Sequence, residues 1–161
     1  SNKTPELSVR VNVMKTDRST LKKRLEELGF KAEESRISCR ALTVKGTGVL
    51  ESREYREGLF SVQDEASILV SDILDTKPGD SVADVCAAPG GKTIATAELM
   101  AGKGVIYAMD KYKHKLKLME TQVKRAGIDN IRLICNDSRQ PIAELRGRMN
   151  RVLADVPCSG L

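Results

Sequence analysis

Four apolar segments in the second part of the sequence are each followed by residues that can bind a small polar ligand. Small residues and glycines follow the first segment, in DVCAAPGGKT (residues 84–93), and an aspartate ends or follows each of the others, at Asp110, Asp137 and Asp155. One aspartate alone is weak evidence, because aspartate is common in loops. If the segments are parallel strands, their carboxyl ends meet at one edge of a sheet, and the four groups surround one binding site.

The small residues of segment 84–93 allow a ligand to approach the backbone. Ala87, Ala88, Gly90 and Gly91 leave this space, and the helix that follows offers free N–H groups and the positive end of its dipole. A tight turn without a ligand is the alternative. The P-loop spacing fails because Cys86 stands where its first glycine would be. The GxGxxG fingerprint is absent too, which disfavours NAD without excluding it.

Charge indicates which ligand this site would hold. An acid at Asp110 can accept hydrogen bonds from both ribose hydroxyls of an adenine nucleoside. The sulfonium and ammonium groups of S-adenosylmethionine fit an acid-rich pocket better than phosphates do. The sequence therefore favours methyl transfer over dinucleotide binding.

The alternation of apolar strands with helices predicts the elements that position these residues. Such alternation is typical of a doubly wound α/β fold with a parallel sheet. A helix beginning near Asp64, with Ile68, Leu69, Ile73 and Leu74 inward, precedes this region. We predict strands at 81–87, 104–110, 130–137 and 150–156, and helices at 91–102 and 111–127.

The first 57 residues predict a small β-α-β-β module. Ser19 is the expected helix cap, and Gly29 is the expected helix end. At about fifty residues the module is small for independent folding, so we expect it to pack on a second domain at 58–161. The strands are predicted at 9–13, 30–33 and 41–44, and the apolar helix stripe at Leu21, Leu25 and Leu28.

Composition excludes several classes of protein. Hydrophobic residues make up 40% of the 161 positions, enough for a core, and no apolar run is long enough to span a membrane. We expect a cytoplasmic protein without a membrane partner. The four cysteines form no CxxC pair and His114 is the single histidine, so no metal site is expected. A net charge of +5 suits RNA binding but also suits many enzymes that bind no nucleic acid.

The sequence resembles the Sun/Fmu-type RNA (cytosine-5) methyltransferases, and within them the enzymes of bacterial small-subunit ribosomal RNA. The specific motifs are DVCAAPGGKT and DVPCSGL (155–161), while RVN (10–12) and FSVQDEAS (60–67) match the region before them. The resemblance covers nearly the whole chain. It implies a Rossmann-like S-adenosylmethionine-dependent fold, with a truncated parallel sheet, preceded by a small α+β module that binds ribosomal RNA.

The resemblance also implies roles for particular residues. Asp110 would bind the ribose hydroxyls, Asp137 the adenine side, and Asp155 would lie between the methionine end of the cofactor and the target cytosine. The residues that would line S-adenosylmethionine, mainly through their backbone, are Cys86, Ala87, Ala88, Pro89, Gly90, Gly91 and Lys92. For Lys92, contact with the substrate and capping of its own helix are equally open.

The resemblance distinguishes the cysteines by role. In the Sun-type enzymes a cysteine in a Thr-Cys-Ser motif attacks the cytosine, and the Pro-Cys thiol assists product release. Cys158 stands in a Pro-Cys pair, and the sequence contains no Thr-Cys pair. We therefore expect Cys158 to be the release cysteine and this chain, as a fragment without its nucleophile, to lack turnover. A buried structural thiol is the alternative for Cys158, and Cys39 and Cys135 are expected in the core.

Two other functions stay open, and each has its own test. A dinucleotide-dependent oxidoreductase would bind NADH, and a non-catalytic RNA-binding module would keep the fold without the reaction. A sheet that stopped at its fourth strand would also expose an apolar edge at Val152–Val156. We expect dimerisation or crystal pairing to cover that edge, because bare apolar edges aggregate.

Overall fold

The computed structural model describes residues 3–156, whose strands form two four-stranded sheets. The strands are β1 (Glu6–Val11), β2 (Lys31–Glu34), β3 (Ala41–Lys45), β4 (Phe60–Val62), β5 (Ser81–Asp84), β6 (Val105–Asp110), β7 (Ile131–Cys135) and β8 (Arg151–Leu153). The helices are α1 (Arg18–Glu27), α2 (Arg53–Arg56), α3 (Glu65–Ile73), α4 (Gly91–Leu99) and α5 (Lys113–Ala126). None of the helices within residues 3–156 has the length and apolar content that a membrane crossing needs.

The N-terminal sheet is antiparallel and has the order β2-β3-β1-β4. Leu21 and Leu25 of α1 are buried in one cluster with Val9 and Phe60, as the apolar stripe predicts. Leu28 was predicted to join them, and that prediction is wrong. It is 53% exposed because α1 ends at Glu27 and Leu28 is its C-cap.

The cap of α1 also differs from the sequence prediction. The helix begins at Arg18, one residue before the expected cap Ser19. Asp17 is the cap instead, and its carboxylate accepts hydrogen bonds from the Thr20 amide at 2.8 Å and the Ser19 hydroxyl at 2.9 Å. An ionised carboxylate satisfies helix N–H groups and favours the positive end of the helix dipole, so the aspartate takes the cap position.

Strand β4 extends the N-terminal sheet through residues that follow the predicted module. It pairs antiparallel with β1, with Val62 opposite Val9 and Phe60 opposite Val11. The division into domains at 1–57 and 58–161 stays a prediction. The pairing shows that residues 60–62 contribute to the first sheet before the chain enters α3.

The second sheet is parallel and has the order β7-β6-β5-β8, which confirms the predicted α/β fold. Helices α4 and α5 pack on it through Ile94 and Met119, which join Val82 and Ile106 in one buried cluster. The order places β5 and β6 in the middle of the sheet. Loops after central strands of parallel sheets commonly carry ligand sites.

Helix α3 follows β4 in the chain, packs against α4 and contacts β1. Ile68 is buried as predicted, but Ile73 is 72% exposed, so the prediction that it faces inward is wrong. Ser71 occupies the inward position instead, because its hydroxyl donates to the Ile68 carbonyl oxygen and accepts from Arg40. A polar contact thus replaces the expected apolar one.

Candidate active site

The carboxyl ends of β5, β6, β7 and β8 meet at one edge of the parallel sheet. Asp84 at the end of β5 lies opposite Ala108 of β6 and Leu153 of β8. Asp110 at the end of β6 lies opposite Cys135 of β7. The loops after all four strands therefore emerge side by side, as the spacing of the aspartates in the sequence predicts.

The glycine loop between β5 and α4 is held close to its neighbours. The Ala87 amide donates to the Met109 carbonyl oxygen at 2.8 Å, and the Val85 amide donates to the Leu153 carbonyl oxygen at 3.0 Å. Gly90 has a φ of 106°, and a Cβ there would lie 2.7 Å from Met119 Cγ. Glycine is thus required by both backbone conformation and space. Among the residues that the structure describes, no side chain caps the N-terminus of α4.

Asp84 is a buried acid beneath this loop, and sequence reasoning assigned it no role. Its carboxylate accepts hydrogen bonds from the Thr93 hydroxyl at 2.6 Å and the Cys86 amide at 3.4 Å. Burial raises the pKa of the Asp84 carboxyl above its usual value. The residue ties the start of the loop to the first turn of α4. In the sequence, an acidic residue at the end of an apolar strand could have indicated this role.

A cavity of about 380 Å³ lies over the ends of β6 and β7. Asp110 and Asp137 both line it, and Asp110 accepts a hydrogen bond from the Tyr112 amide at 2.9 Å. The Arg139 guanidinium holds the pKa of Asp137 well below its usual range, so this carboxylate is ionised at neutral pH. The volume is within the usual range for a small-molecule site. The lining residues are Val85, Cys86, Ala88, Asp110, Lys111, Tyr112, Lys115, Asn136, Asp137, Ser138, Arg139, Asp155 and Val156.

Tyr112 is an aromatic residue in this cavity that sequence reasoning missed. Its ring lies 4.8 Å from both the Lys111 and the Lys115 ammonium nitrogens. It is partly exposed and offers a flat surface beside Asp110. In the sequence, an aromatic residue two positions after the acid that ends β6 could have indicated that Tyr112 lies in this cavity.

A second cavity of about 230 Å³ lies on the other side of the glycine loop. Gln63 and Asp64, which precede α3, and Ser67, in the first turn of α3, form one wall of it. Asp64 also caps α3 by accepting from the Ser67 amide at 2.9 Å. The two cavities have three residues in common, which are Cys86, Ala88 and Asp155.

An ion pair stands where the two cavities meet. Lys92 Nζ lies 2.6 Å from Asp155 Oδ2, and the Asp155 side chain is 56% exposed. Lys92 comes from the first turn of α4, whereas Asp155 follows β8. The pair therefore joins the glycine loop to the loop after the fourth strand.

The cysteines take different positions. Cys86 is half-buried, and its Sγ lies 3.9 Å from the Ser138 hydroxyl. Cys39 and Cys135 are exposed, so the prediction that they are core residues is wrong. Cys158 lies outside the described residues. Within residues 3–156 no three His, Cys, Asp or Glu side chains come together as a metal site.

Comparisons with known proteins identify the family to which this site belongs. Residues 71–161 match the model of the 16S rRNA methyltransferase RsmB/F family. The chain belongs to this family. Residues 1–50 also match the ferredoxin-like domain of RsmF/B-like methyltransferases. The resemblance stated from the motifs is thereby confirmed.

Named relatives and solved structures agree with the RsmB/F assignment. A probable ribosomal RNA small subunit methyltransferase B of Bacillus subtilis is 37% identical over 97% of this chain and 35% of that protein. A tRNA (cytosine(72)-C(5))-methyltransferase of Pyrococcus horikoshii is 37% identical over 69% of this chain and 28% of that protein. A methyltransferase homologue from P. horikoshii has a TM-score of 0.86 at 33% identity, covering 99% of this chain and 52% of that one. The chain thus spans about a third of the length of the curated relatives it matches.

Proposed function

We propose that this protein takes part in S-adenosylmethionine-dependent methylation of carbon 5 of a cytosine in ribosomal RNA. The observation that carries the proposal is the meeting of two cavities at Cys86, Ala88 and Asp155. A transfer reaction between two substrates needs two sites that share a boundary where the reacting atoms can approach. The RsmB/F family assignment supports the reaction class.

The larger of the two cavities is proposed to bind S-adenosylmethionine. When bound there, this cofactor supplies a methyl group made electrophilic by the sulfonium. Asp110 would accept hydrogen bonds from the ribose hydroxyls, and the ionised Asp137 would accept one from the adenine amino group. Of residues 86–92, Cys86 and Ala88 line this cavity and would contact the cofactor, whereas Ala87, Pro89, Gly91 and Lys92 line the smaller cavity.

The smaller cavity is proposed to receive the flipped cytosine. Asp155, held by Lys92, would stabilise a proton at the ring nitrogen while a thiolate adds to carbon 6 of the base. Carbon 5 then takes up the methyl group, a base removes the carbon-5 proton, and the carbon–sulfur bond breaks as the thiol leaves. Cys158 is proposed to assist this release. None of the four cysteines is assigned the attack, so we propose that this chain alone lacks turnover.

The RNA partner, the cellular location and the pairing of two chains are also proposals. The residues before α3 are proposed to bind ribosomal RNA, the substrate class that the B. subtilis relative's name gives. We propose a cytoplasmic location. We also propose that a second copy of the chain covers the outer side of β8, where Val152 and Val156 are 57% and 59% exposed.

Titration calorimetry with two ligands tests the reaction class. We expect the 161-residue chain to bind S-adenosylhomocysteine and to show no heat with NADH. Binding of NADH alone would favour the oxidoreductase alternative and reject the proposal. Binding of neither ligand, together with retained RNA binding, would favour a non-catalytic RNA-binding module.

A further inference from the structure

Arg10 of β1 crosses from the N-terminal sheet to the helix that begins at the glycine loop. It is 1% exposed, and its guanidinium makes two hydrogen bonds with Glu98, from Nε at 2.8 Å and from Nη2 at 3.0 Å. Its third nitrogen, Nη1, donates to the Gln63 side-chain oxygen and, at 3.1 Å, to the Gly91 carbonyl oxygen. One buried side chain therefore contacts both the first and the last turns of α4.

The Gly91 branch of this network leads directly to the proposed active site. Gly91 and Gln63 both line the smaller cavity, and a Cβ on Gly91 would lie 3.3 Å from Gln63 Nε2. The next residue, Lys92, holds Asp155 where the two cavities meet. A change in the position of Gly91 would therefore pass through Lys92 to Asp155, which lines both cavities.

A buried ion pair is a poor explanation for stability alone. Replacing such a pair by apolar side chains of similar volume is often neutral or stabilising, because the cost of desolvating the charges offsets their attraction. The guanidinium instead fixes the relative positions of its partners, because its planar set of N–H groups can bind several acceptors at once. Here the acceptors are Glu98, Gln63 and Gly91.

We propose that Arg10 is a positioning residue that sets the first turn of α4, and with it the cofactor-binding loop, from within the N-terminal sheet. The inference rests on the proposed cofactor site. On this proposal the N-terminal sheet supports the cofactor-binding loop, in addition to its proposed contact with RNA. Arg10 itself touches neither cavity, so its effect passes through Gly91 and Gln63.

Arg40 provides a matched control. It is also a buried arginine, and its Nη1 lies 3.6 Å from Glu98 Oε2. Its hydrogen bonds go to the Ala95 carbonyl oxygen, Ser71 and Asp72. None of these residues lines either cavity. Arg10→Lys and Arg40→Lys thus weaken the same buried network, but only the first removes the fixed contact with Gly91.

The test measures S-adenosylhomocysteine affinity by calorimetry, together with thermal stability, for the wild-type chain and both lysine variants. We expect both variants to lose thermal stability. Arg10→Lys should raise the Kd about tenfold, the change expected if the binding-competent position of the loop falls to about a tenth of the population. Arg40→Lys should leave the Kd within about twofold of wild type. Hydrogen exchange of the Ile94 amide, which donates to the Gly90 carbonyl oxygen, should become faster in the Arg10 variant only.

Two results would overturn the inference while leaving the cofactor site intact. One is wild-type affinity in Arg10→Lys, and the other is an equal loss of affinity in Arg40→Lys. If Arg10→Lys does not fold, the Arg10→Met/Glu98→Met double variant replaces it, because an apolar pair can retain the fold. Wild-type affinity in that double variant also overturns the inference. A wild-type chain that binds no S-adenosylhomocysteine would reject the cofactor site and the inference together.

Discussion

Glu98→Gln removes a buried negative charge that Arg10 and Arg40 share. Glu98 is 2% exposed, and its two carboxylate oxygens lie 2.8 and 3.0 Å from Arg10 nitrogens. The amide of glutamine has nearly the same volume but offers one acceptor oxygen in place of two. After the change Arg10 keeps no carboxylate partner among its hydrogen bonds, whereas Arg40 still has Asp72.

The expected cost follows from the burial of the arginine left behind. Breaking a buried ion pair by removing one partner costs about 3–5 kcal/mol, because the remaining charge is uncompensated. For a chain of this size each kcal/mol lowers the Tm by about 2–4 °C, so we expect a decrease of roughly 6–20 °C. The loss is a large part of the roughly 5–15 kcal/mol that stabilises a typical protein.

Urea denaturation of Glu98→Gln and Glu57→Gln provides the measurement and its control. Glu57 pairs with Arg53 on the surface at 2.6 Å, with both side chains well exposed, so the same substitution there should not change the midpoint measurably. The Arg10→Met/Glu98→Met variant should recover most of the stability lost in Glu98→Gln. Equal midpoints for the two glutamine variants would refute the reasoning, as would a double variant no more stable than Glu98→Gln.

Two further predictions concern α1 and β8. Hydrogen bonds from Thr20 lower the pKa of Asp17 below 3.8, so its stabilising effect is present above that pH and is lost as the pH falls through the lowered pKa. Asp17→Ala should therefore destabilise the chain at about pH 7, and the loss should shrink as the pH falls through the lowered pKa, whereas Ser19→Ala should have little effect across this range; a pH-independent loss would contradict this. On β8, sedimentation should show a wild-type dimer and a monomeric Val152→Lys variant, and a wild-type monomer at high concentration would reject the proposed pairing.

The sequence predicted the parallel sheet, and the cavity that Asp110, Asp137 and Asp155 line together, because both depend on local patterns. Apolar strands that alternate with helices specify the sheet, and the acids after them specify where Asp110, Asp137 and Asp155 gather. The buried stripe of α1 was predicted at Leu21 and Leu25 by the same periodicity. These features can be read within windows of ten to twenty residues.

Features that depend on distant contacts could not be predicted in this way. Arg10 and Glu98 are 88 positions apart, and charged residues are normally expected at the surface. The pairing of β4 with β1 likewise depends on a strand of three residues, too short to show a clear period. At α1, Asp17 and Ser19 are both good caps, and only the hydrogen bond to Thr20 distinguishes them.

Calorimetric titration of S-adenosylhomocysteine into Asp110→Ala and Asp129→Ala is the most direct test of the central claim, that the cavity over β6 and β7 holds the cofactor. Asp129 is exposed and precedes β7, at the opposite edge of the sheet from Asp110. We predict a Kd raised roughly 10- to 100-fold in Asp110→Ala, as expected for losing hydrogen bonds to a charged acceptor. Asp129→Ala should bind like the wild type. Equal affinities for Asp110→Ala and the wild type would contradict the claim.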